Sequence, residues 1–348
     1  MIDIPEHPID GLDTWSAVEL KSDDRWIHQL SNSDQAELQS AVNQVKSNGL
    51  DIFRFGRNDF NLPTLGPRIH AIMTDVEKGR GCALIRGLST DTYNINDLSL
   101  LYWGLGVHMG TPVSQNARGD LIGNVRDAGK SYNATNIRGY TTNAALPPHC
   151  DPADTVSLLC VTAAMGGGES LLASAPAIFN ELMSADPELL PPLFKGFHFD
   201  LRGEGTTGEI NEVTRHRVPV FHWHAGRLSC RYNRRTIIDG QRKAGEPLSG
   251  LDLRAVDRVA ELAEDERFRF EMTFLPGDIQ ILSNHTILHF RRAFETDPTS
   301  HAPRHLLRLW TNVAEELARP LRPEFAERLN NGPRGGVYVT DHHAGWVP

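Results

Sequence analysis

The stretch that decides the fold runs from residue 268 to residue 290 and reads FRFEMTFLPGDIQILSNHTILHF. Hydrophobic and polar residues alternate from Phe268 to Phe274, which predicts a β-strand with one buried face. Pro276-Gly277-Asp278 is typical of a tight turn. The apolar run from Ile279 to Leu282 follows at once and predicts a second, buried strand. The segment therefore indicates a mainly β protein built from short strands and tight turns.

Strands outside this segment follow the same pattern. Alternation returns from Arg304 to Trp310, and an apolar run extends from Val156 to Thr162. Gly166-Gly167-Gly168 ends that run and a further strand begins at Glu169, so we expect a hairpin there. Short strands joined by Gly and Pro turns, with helices before and between them, predict an α+β fold. Its core is an antiparallel barrel or sandwich with helices on one side.

Helical segments are predicted before and between the strands. Leu38, Val42 and Val45 recur at helical spacing, and Ser33 is placed to cap that helix. A helical insert is predicted at residues 253–262, where Leu and Val recur with the same period. No G-x-G-x-x-G follows a strand, and no Walker A motif occurs, so a doubly wound sheet lacks support. We expect residues 1–80 to form a mainly helical cover over the β core.

Composition narrows the function classes. The chain has 348 residues, of which 23% are charged, and a formal net charge of -9, which disfavours nucleic acid and anionic lipid as partners. No apolar run approaches the roughly 20 residues that cross a bilayer, and the N-terminus lacks the features of a signal peptide. Four cysteines without C-x-x-C spacing are typical of reduced thiols. We therefore expect a cytoplasmic protein with one catalytic domain over residues 1–348. It should act on a small molecule, with a homo-oligomer left open.

Two His-x-Asp pairs are candidate metal ligands. Alternate residues of an extended segment face the same way, so such a pair can present an imidazole and a carboxylate to one ion. His198 and Asp200 lie in an alternating Phe-His-Phe-Asp run, which favours a strand with its polar side chains in solvent. His149 and Asp151 follow two prolines at the end of a loop and precede an apolar strand. This second pair is therefore the one we interpret as a metal site.

Further candidates come from the C-terminal half. A nonheme iron site needs a third ligand from a distant strand, and both His285 and His289 could supply it, since spacing alone does not choose. Arg304 and Arg308 lie four residues apart on one predicted strand and therefore share a face. Two neighbouring guanidiniums require anions, which are either acidic side chains or bound ligands.

The polar stretch from Gln115 to Asn143 is rich in Gly and Asn and is longer than an ordinary connection. We interpret it as a functional loop or a set of irregular strands, because it leads directly to His149. On that basis we predict that Gln115, Asn124 and Asn143 line a substrate pocket.

Taken in order, these motifs resemble the TauD/TfdA family of Fe(II)- and 2-oxoglutarate-dependent dioxygenases. The resemblance extends from about Ala83 to Val313. Phe290 and Arg291 depart from it, because small residues are common after this histidine in relatives. The motifs that carry it are His149-x-Asp151, Gly167-Gly168-Glu169-Ser170, Pro276-Gly277-Asp278, Asn284 five residues before His289, and Arg304 with Arg308.

The resemblance implies a double-stranded β-helix, or jelly roll, over residues 83–313, followed by a C-terminal tail at 314–348. It also implies that His149, Asp151 and His289 bind Fe(II), so that His285 is not a ligand.

Cosubstrate and substrate contacts are implied in the same way. Arg304 holds the distal carboxylate of 2-oxoglutarate, and Ser170 stands where relatives often place a threonine on that carboxylate. Arg308 matches a position that in several relatives meets an acidic group of the substrate. A structural ion pair is the alternative role for Arg308.

The implied activity is that of an enzyme that uses Fe(II), 2-oxoglutarate and O2 to attack an aliphatic C–H bond of a small metabolite, releasing succinate and CO2. Hydroxylation is the expected outcome, while desaturation, epimerisation and cyclisation begin with the same hydrogen abstraction. One alternative is a cupin-like hydrolase or isomerase, against which Arg304 argues, because such a protein needs no cosubstrate anchor. The other is a non-catalytic sensor on the same scaffold, against which the intact ligand set argues.

Overall fold

Two β-sheets form the centre of the protein in the computed structural model, which describes residues 3–129, 139–296 and 303–339. The strands are β1 (Ile27–Gln29), β2 (Cys82–Arg86), β3 (Thr111–Pro112), β4 (Ile122–Val125), β5 (Leu146–His149), β6 (Thr155–Thr162), β7 (Ser170–Ser174), β8 (Phe221–His224), β9 (Arg227–Cys230), β10 (Phe270–Met272), β11 (Ile279–Ser283), β12 (Ile287–Arg291) and β13 (His305–Asn312). The larger sheet has the order β1-β2-β11-β6-β13-β3, with β4 also paired to β13, and the smaller has the order β10-β7-β12-β5.

The chain passes repeatedly from one sheet to the other. Strands β5, β7, β10 and β12 belong to the smaller sheet, whereas β6, β11 and β13 belong to the larger one. Apolar side chains of both sheets meet in one buried cluster that includes Leu172, Ile287, Val156 and Trp310. Burial of these inner faces against each other is what holds the two sheets together. The predicted double-stranded β-helix is confirmed.

The hairpin predicted around Gly166-Gly167-Gly168 is wrong. Strand β6 pairs with β11 and β13, whereas β7 pairs with β10 and β12, so the glycine turn carries the chain between sheets. Gly167 has φ of 74°, and a Cβ there would lie 2.2 Å from the carbonyl oxygen of Ala293. Only glycine fits this crossing, because the backbone is left-handed and in close contact. The sequence shows the turn but not which strands it separates.

Helices cover the outer faces of both sheets. They are α1 (Ala17–Ser22), α2 (Asn32–Ser47), α3 (Leu65–Lys78), α4 (Ile95–Met109), α5 (Ala175–Ala185), α6 (Leu190–Lys195), α7 (Arg234–Lys243), α8 (Gly250–Glu264) and α9 (Pro323–Ala326). Helices α2, α3 and α4 pack on the larger sheet through residues such as Leu38 and Leu101. Helices α5, α6 and α8 pack on the smaller sheet through residues such as Ile178 and Val259. The expectation of helices on one side only is therefore wrong, because each sheet has an apolar outer face that must be buried.

Local details also differ from expectation. Ser31, not Ser33, caps α2, because its hydroxyl accepts from the backbone N–H of Asp34 and the Asp34 carboxylate accepts from Ser31. Asp200 is buried and binds Lys243 at 2.6 Å, so its expected solvation is wrong.

Much of the C-terminal segment lies against the core. Arg319 binds Glu77 at 2.6 Å, and Arg328 binds Asp154 at the same distance, with all four side chains buried. Residues 340–348 of the predicted tail lie outside the described residues. Among the described residues, no helix is both long enough and apolar enough to cross a membrane.

Candidate functional site

A cavity opens between the two sheets. Its lining combines apolar side chains with a small set of charged and polar ones. The lining residues are Val125, Leu146, His149, Asp151, Val156, Leu158, Ser170, Phe274, His289, Phe290, Arg291, Arg304, Leu306 and Arg308. A concave, largely apolar site with a few convergent charges is typical of a small-molecule binding site.

His149, Asp151 and His289 meet in this cavity. His149 ends β5 and lies directly opposite His289 of β12 in the strand register, with the ring centroids 4.3 Å apart. Asp151 Oδ1 lies 3.9 Å from His149 Nε2, and Asp151 Oδ2 lies 3.7 Å from His289 Nε2. The three side chains each offer a ligand atom within 4.8 Å of the others. These spacings are too long for hydrogen bonds but suit donors that share one ion.

The protonation states also suit a metal. His149 Nδ1 lies 2.9 Å from the carbonyl oxygen of Pro147, which requires a proton on Nδ1 and leaves the lone pair on Nε2. Burial lowers the pKa of His149 to about 4, with the nearby His289 acting in the same direction, so the ring is neutral near pH 7. A neutral imidazole is the form that binds metal ions.

Asp151 is held as a carboxylate. Burial alone would raise the pKa of Asp151, but the charge of Arg308 and the nearby imidazole of His289 hold this pKa below its usual range. Trp310 Nε1–H donates to Asp151 Oδ2 at 2.8 Å, and the backbone N–H of Asp151 donates to Asn284 Oδ1 at 2.9 Å. The carboxylate is therefore both charged and fixed in orientation.

His285 lies elsewhere. Its Nε2 is 3.0 Å from Asp154 Oδ1, and its side chain is buried beside Arg328. The structure thus brings His289, and not His285, next to His149 and Asp151.

Arg308 lines the cavity beside Asp151. Its Nε–H donates to Gln115 Oε1 at 2.7 Å, while the Gln115 amide donates to the backbone carbonyl of Arg308 at 2.9 Å. Its Nη1 is 3.6 Å from Asp151 Oδ2, and its guanidinium carbon lies 4.8 Å from the Trp310 ring centroid. Gln115, predicted as a pocket residue, does not line the cavity but orients Arg308.

Arg304 directly precedes β13 and lines the same cavity as Arg308. It is 7% exposed, and burial lowers its pKa to about 10. Its guanidinium carbon lies 4.8 Å from the ring centroid of Phe294, and a Cβ on Gly168 would lie 3.1 Å from its Nε. Ser170 lines the same cavity, and its hydroxyl donates to Gln280 Oε1 at 3.0 Å.

The other two predicted pocket residues lie outside the cavity lining. Asn124 Oδ1 is 2.7 Å from His305 Nε2, so this side chain supports the start of β13. Asn143 is exposed, and its backbone carbonyl accepts from the N–H of Phe294 at 3.1 Å. A polar stretch predicts a loop near the site but not which of its side chains turns inward.

Sequence reasoning missed roles for Trp310 and Arg291. Trp310 follows Arg308 by two residues on β13, and Arg291 follows His289 by two residues on β12. Alternate residues of a strand share a face, so this spacing was a usable signal for both.

Replacing Trp310 by phenylalanine is expected to weaken divalent metal binding by about 10- to 100-fold, because the Asp151 carboxylate loses the N–H that orients it. Calorimetric titration with Mn(II) would measure this. Trp103 is the matched control, since it is also buried and donates its Nε1–H to a backbone carbonyl, that of Phe55. Equal metal affinity in the Trp310→Phe and Trp103→Phe variants would contradict the assignment.

Comparison with known proteins agrees with this geometry. The family described as taurine catabolism dioxygenase TauD, TfdA family matches residues 41–310. FR-33289 synthase of Streptomyces rubellomurinus (strain ATCC 31215) is 35% identical over 317 residues, which are 90% of this chain and 93% of that protein. A uridine-5'-phosphate dioxygenase of an Amycolatopsis species is 29% identical over 178 residues, 49% of this chain and 62% of that one.

A solved structure shows the same fold. Asparagine oxygenase in complex with Fe(II), 2S,3S-3-hydroxyasparagine and succinate superposes with a TM-score of 0.65 at 16% identity, covering 83% of this chain and 94% of that one. The family match spans well over half of the chain. The chain therefore belongs to the TauD/TfdA family and is a 2-oxoglutarate-dependent nonheme iron dioxygenase.

Proposed function

We propose that this dioxygenase hydroxylates an aliphatic C–H bond of a small anionic metabolite, with 2-oxoglutarate and O2 consumed and succinate and CO2 released. The observation that carries the proposal is the meeting of His149, Asp151 and His289 in a cavity that Arg304 and Arg308 also line.

The three side chains fit Fe(II). Two imidazoles and one carboxylate are the donor set of the facial triad, which leaves further coordination positions open for other ligands. When bound, Fe(II) and 2-oxoglutarate together activate O2 for attack on a C–H bond. The contribution of the chain is to orient the carboxylate of Asp151 through Trp310, to hold the backbone of Asp151 through Asn284, and to keep His149 neutral.

Arg304 and Ser170 are the proposed contacts of the distal carboxylate of 2-oxoglutarate. Arg304 is buried, and within the described residues no carboxylate lies in salt-bridge distance of it. Burying a guanidinium costs free energy unless an anion pairs with it, and the planar fork of the guanidinium matches the geometry of a carboxylate.

Charge in the cavity favours an anionic substrate. Three guanidiniums and one carboxylate line it, namely those of Arg291, Arg304, Arg308 and Asp151. The charges of Fe(II) and of 2-oxoglutarate offset each other, so the side chains leave an excess of positive charge for the substrate to meet. The related uridine-5'-phosphate dioxygenase takes, by its name, a substrate that bears a phosphate.

Arg308 is the proposed partner of the substrate anion because it lies next to the metal ligands. Its Nη1 is 3.6 Å from Asp151, so an anion held there places its neighbouring C–H bonds close to the metal. Val156, Leu158 and Phe274 give the remaining wall an apolar character that suits an aliphatic segment and excludes water.

The competing functions receive less support. A cupin-like hydrolase or isomerase needs no buried arginine such as Arg304 at the far end of the cavity. A non-catalytic sensor does not need three donors that converge on one ion. Desaturation, epimerisation and cyclisation would use the same residues, and product analysis separates them from hydroxylation.

A substrate screen tests the proposal. Carboxylate- and phosphate-bearing metabolites are expected to stimulate succinate release, and Arg308→Gln is expected to raise the KM for the active compound at least about tenfold, since a charge-assisted contact contributes about 1.5–3 kcal/mol. Mass spectrometry of the product should show one added oxygen atom.

The control is Arg292→Gln, because Arg292 is half exposed and binds Glu271 outside the cavity. Its KM should equal that of the parent enzyme. If neutral compounds stimulate succinate release, and Arg308→Gln leaves the KM for them unchanged, the proposal of an anionic substrate is wrong.

A further inference from the structure

We propose that Arg291 is a second guanidinium for the distal carboxylate of 2-oxoglutarate and that, together with Arg304, it makes the enzyme selective for dicarboxylic 2-oxoacids. The inference rests on the proposed role of Arg304.

Strand register places Arg291 at this end of the cavity. It follows His289 by two residues on β12, so both side chains face inward, and its Cα pairs with that of Ser170 on β7. Arg291 lines the cavity and is 7% exposed. Arg291 thus lies beside the proposed carboxylate contact Ser170 rather than beside Arg308.

Phe294 links the two arginines. The guanidinium carbons of Arg291 and Arg304 each lie 4.8 Å from the centroid of its ring. Contact with the aromatic ring orients both cations without neutralising them. Within the described residues, no carboxylate lies within salt-bridge distance of either one.

The hydrogen bonds of Arg291 leave part of it free. Its Nη2 donates to the backbone carbonyls of Thr142 and Ala144, at 2.8 and 2.5 Å. Its Nε and Nη1 are buried and have no hydrogen-bond partner in the described residues, and the same is true of Arg304 Nη1. Two buried, like-charged groups with unused donors are unfavourable unless an anion binds to both. A carboxylate has oxygens enough to accept from both arginines.

An alternative role for Arg291 is purely structural. Its two bonds to Thr142 and Ala144 tie the segment before β5 to β12, and that segment leads to His149. If this is the role of Arg291, its loss should weaken the binding of every ligand of the metal centre, whatever group the ligand has at its distal end. The carboxylate role predicts a loss confined to ligands that have a distal carboxylate.

Calorimetric binding to the Mn(II)-loaded protein separates the two roles without turnover. The probes are 2-oxoglutarate and 2-oxopentanoate, which has the same chain length but a methyl group in place of the distal carboxylate. Arg291→Gln is expected to raise the Kd of 2-oxoglutarate at least about tenfold, as loss of a charge-assisted contact does. The Kd of 2-oxopentanoate should stay within about twofold, so the preference for the dicarboxylate falls by the same factor.

Three further variants complete the experiment. Arg304→Gln should also weaken the binding of 2-oxoglutarate without weakening that of 2-oxopentanoate. Arg292→Gln, which changes the exposed neighbour of Arg291, should leave both affinities unchanged. Arg291→Lys keeps a cation but loses the fork, so a smaller selective loss is expected. This variant carries the test if melting curves show that Arg291→Gln does not fold.

Suppose that Arg304→Gln weakens the binding of 2-oxoglutarate as expected. Two results would then overturn the role of Arg291 and leave the role of Arg304 intact. One is an unchanged Kd in the Arg291 variants, and the other is an equal weakening of both probes. If Arg304→Gln has no effect either, the proposed cosubstrate contact is itself wrong, and the inference fails with it.

Discussion

Replacement of His289 by alanine is expected to abolish the activity, with kcat/KM falling by more than about 1000-fold, which corresponds to at least about 4 kcal/mol of transition-state stabilisation. The reason is that His289 is one of the three donors proposed for the metal, which are the ones that converge within the described residues, and it lies opposite His149 in the sheet register. Without it, two donors remain to hold the metal. Succinate release and calorimetric titration with Fe(II) under anaerobic conditions would measure the two losses.

The matched control is His285→Gln, because His285 is the other histidine that spacing alone allows. Its side chain contacts Asp154 rather than Asp151, so metal binding should survive. Adding Fe(II) and 2-oxoglutarate without oxygen gives a visible charge-transfer band in a functional centre. This band should be absent from His289→Ala and present in His285→Gln, and the opposite pattern would show that the third ligand is misassigned.

Replacing Asp154 by asparagine is expected to cause the largest loss of stability, about 3–5 kcal/mol, equivalent to a fall in melting temperature of roughly 10 °C. Asp154 is fully buried, and Arg328, Arg334 and His285 all contact its carboxylate. Asparagine removes the negative charge and directs N–H donors at these groups. The buried cations are then left without a counter-charge, a cost that thermal and urea unfolding would both measure.

A matched control for this variant is Glu271→Gln, which removes a carboxylate from an exposed pair with Arg292. Exposed pairs contribute about 0–1 kcal/mol, so the melting temperature should change little. Similar stability in the two variants would mean that the Asp154 cluster is not what fixes the C-terminal segment to the core.

Acidification should act on the same cluster. Burial would raise the pKa of Asp154, but Arg328 and His285 hold this pKa well below its usual range. The carboxylate therefore contributes stability above the pKa of the unfolded chain, and this contribution is lost as the pH falls towards the folded-state pKa.

Several features of this protein follow from the sequence alone. Alternation and tight turns around Pro276 predict the short strands, and helical spacing at Leu38, Val42 and Val45 predicts α2, because both patterns arise between residues close in the chain. The order of motifs from His149 to Arg308 was enough to identify the family. For the same local reason, Arg304 and Arg308 could be placed on one face of a strand.

Tertiary structure decided the features that depend on distant residues. Whether His285 or His289 faces Asp151 depends on how β12 pairs with β5, across more than a hundred residues of chain. Gln115 orients Arg308 instead of lining the cavity because β4 lies beside β13. Local periodicity predicts neither the approach of His289 to Asp151 nor the contact between Gln115 and Arg308. The spacing of hydrophobic residues predicts which face of a helix or strand is buried. The partner of a buried charge is determined only when the two sheets pack together.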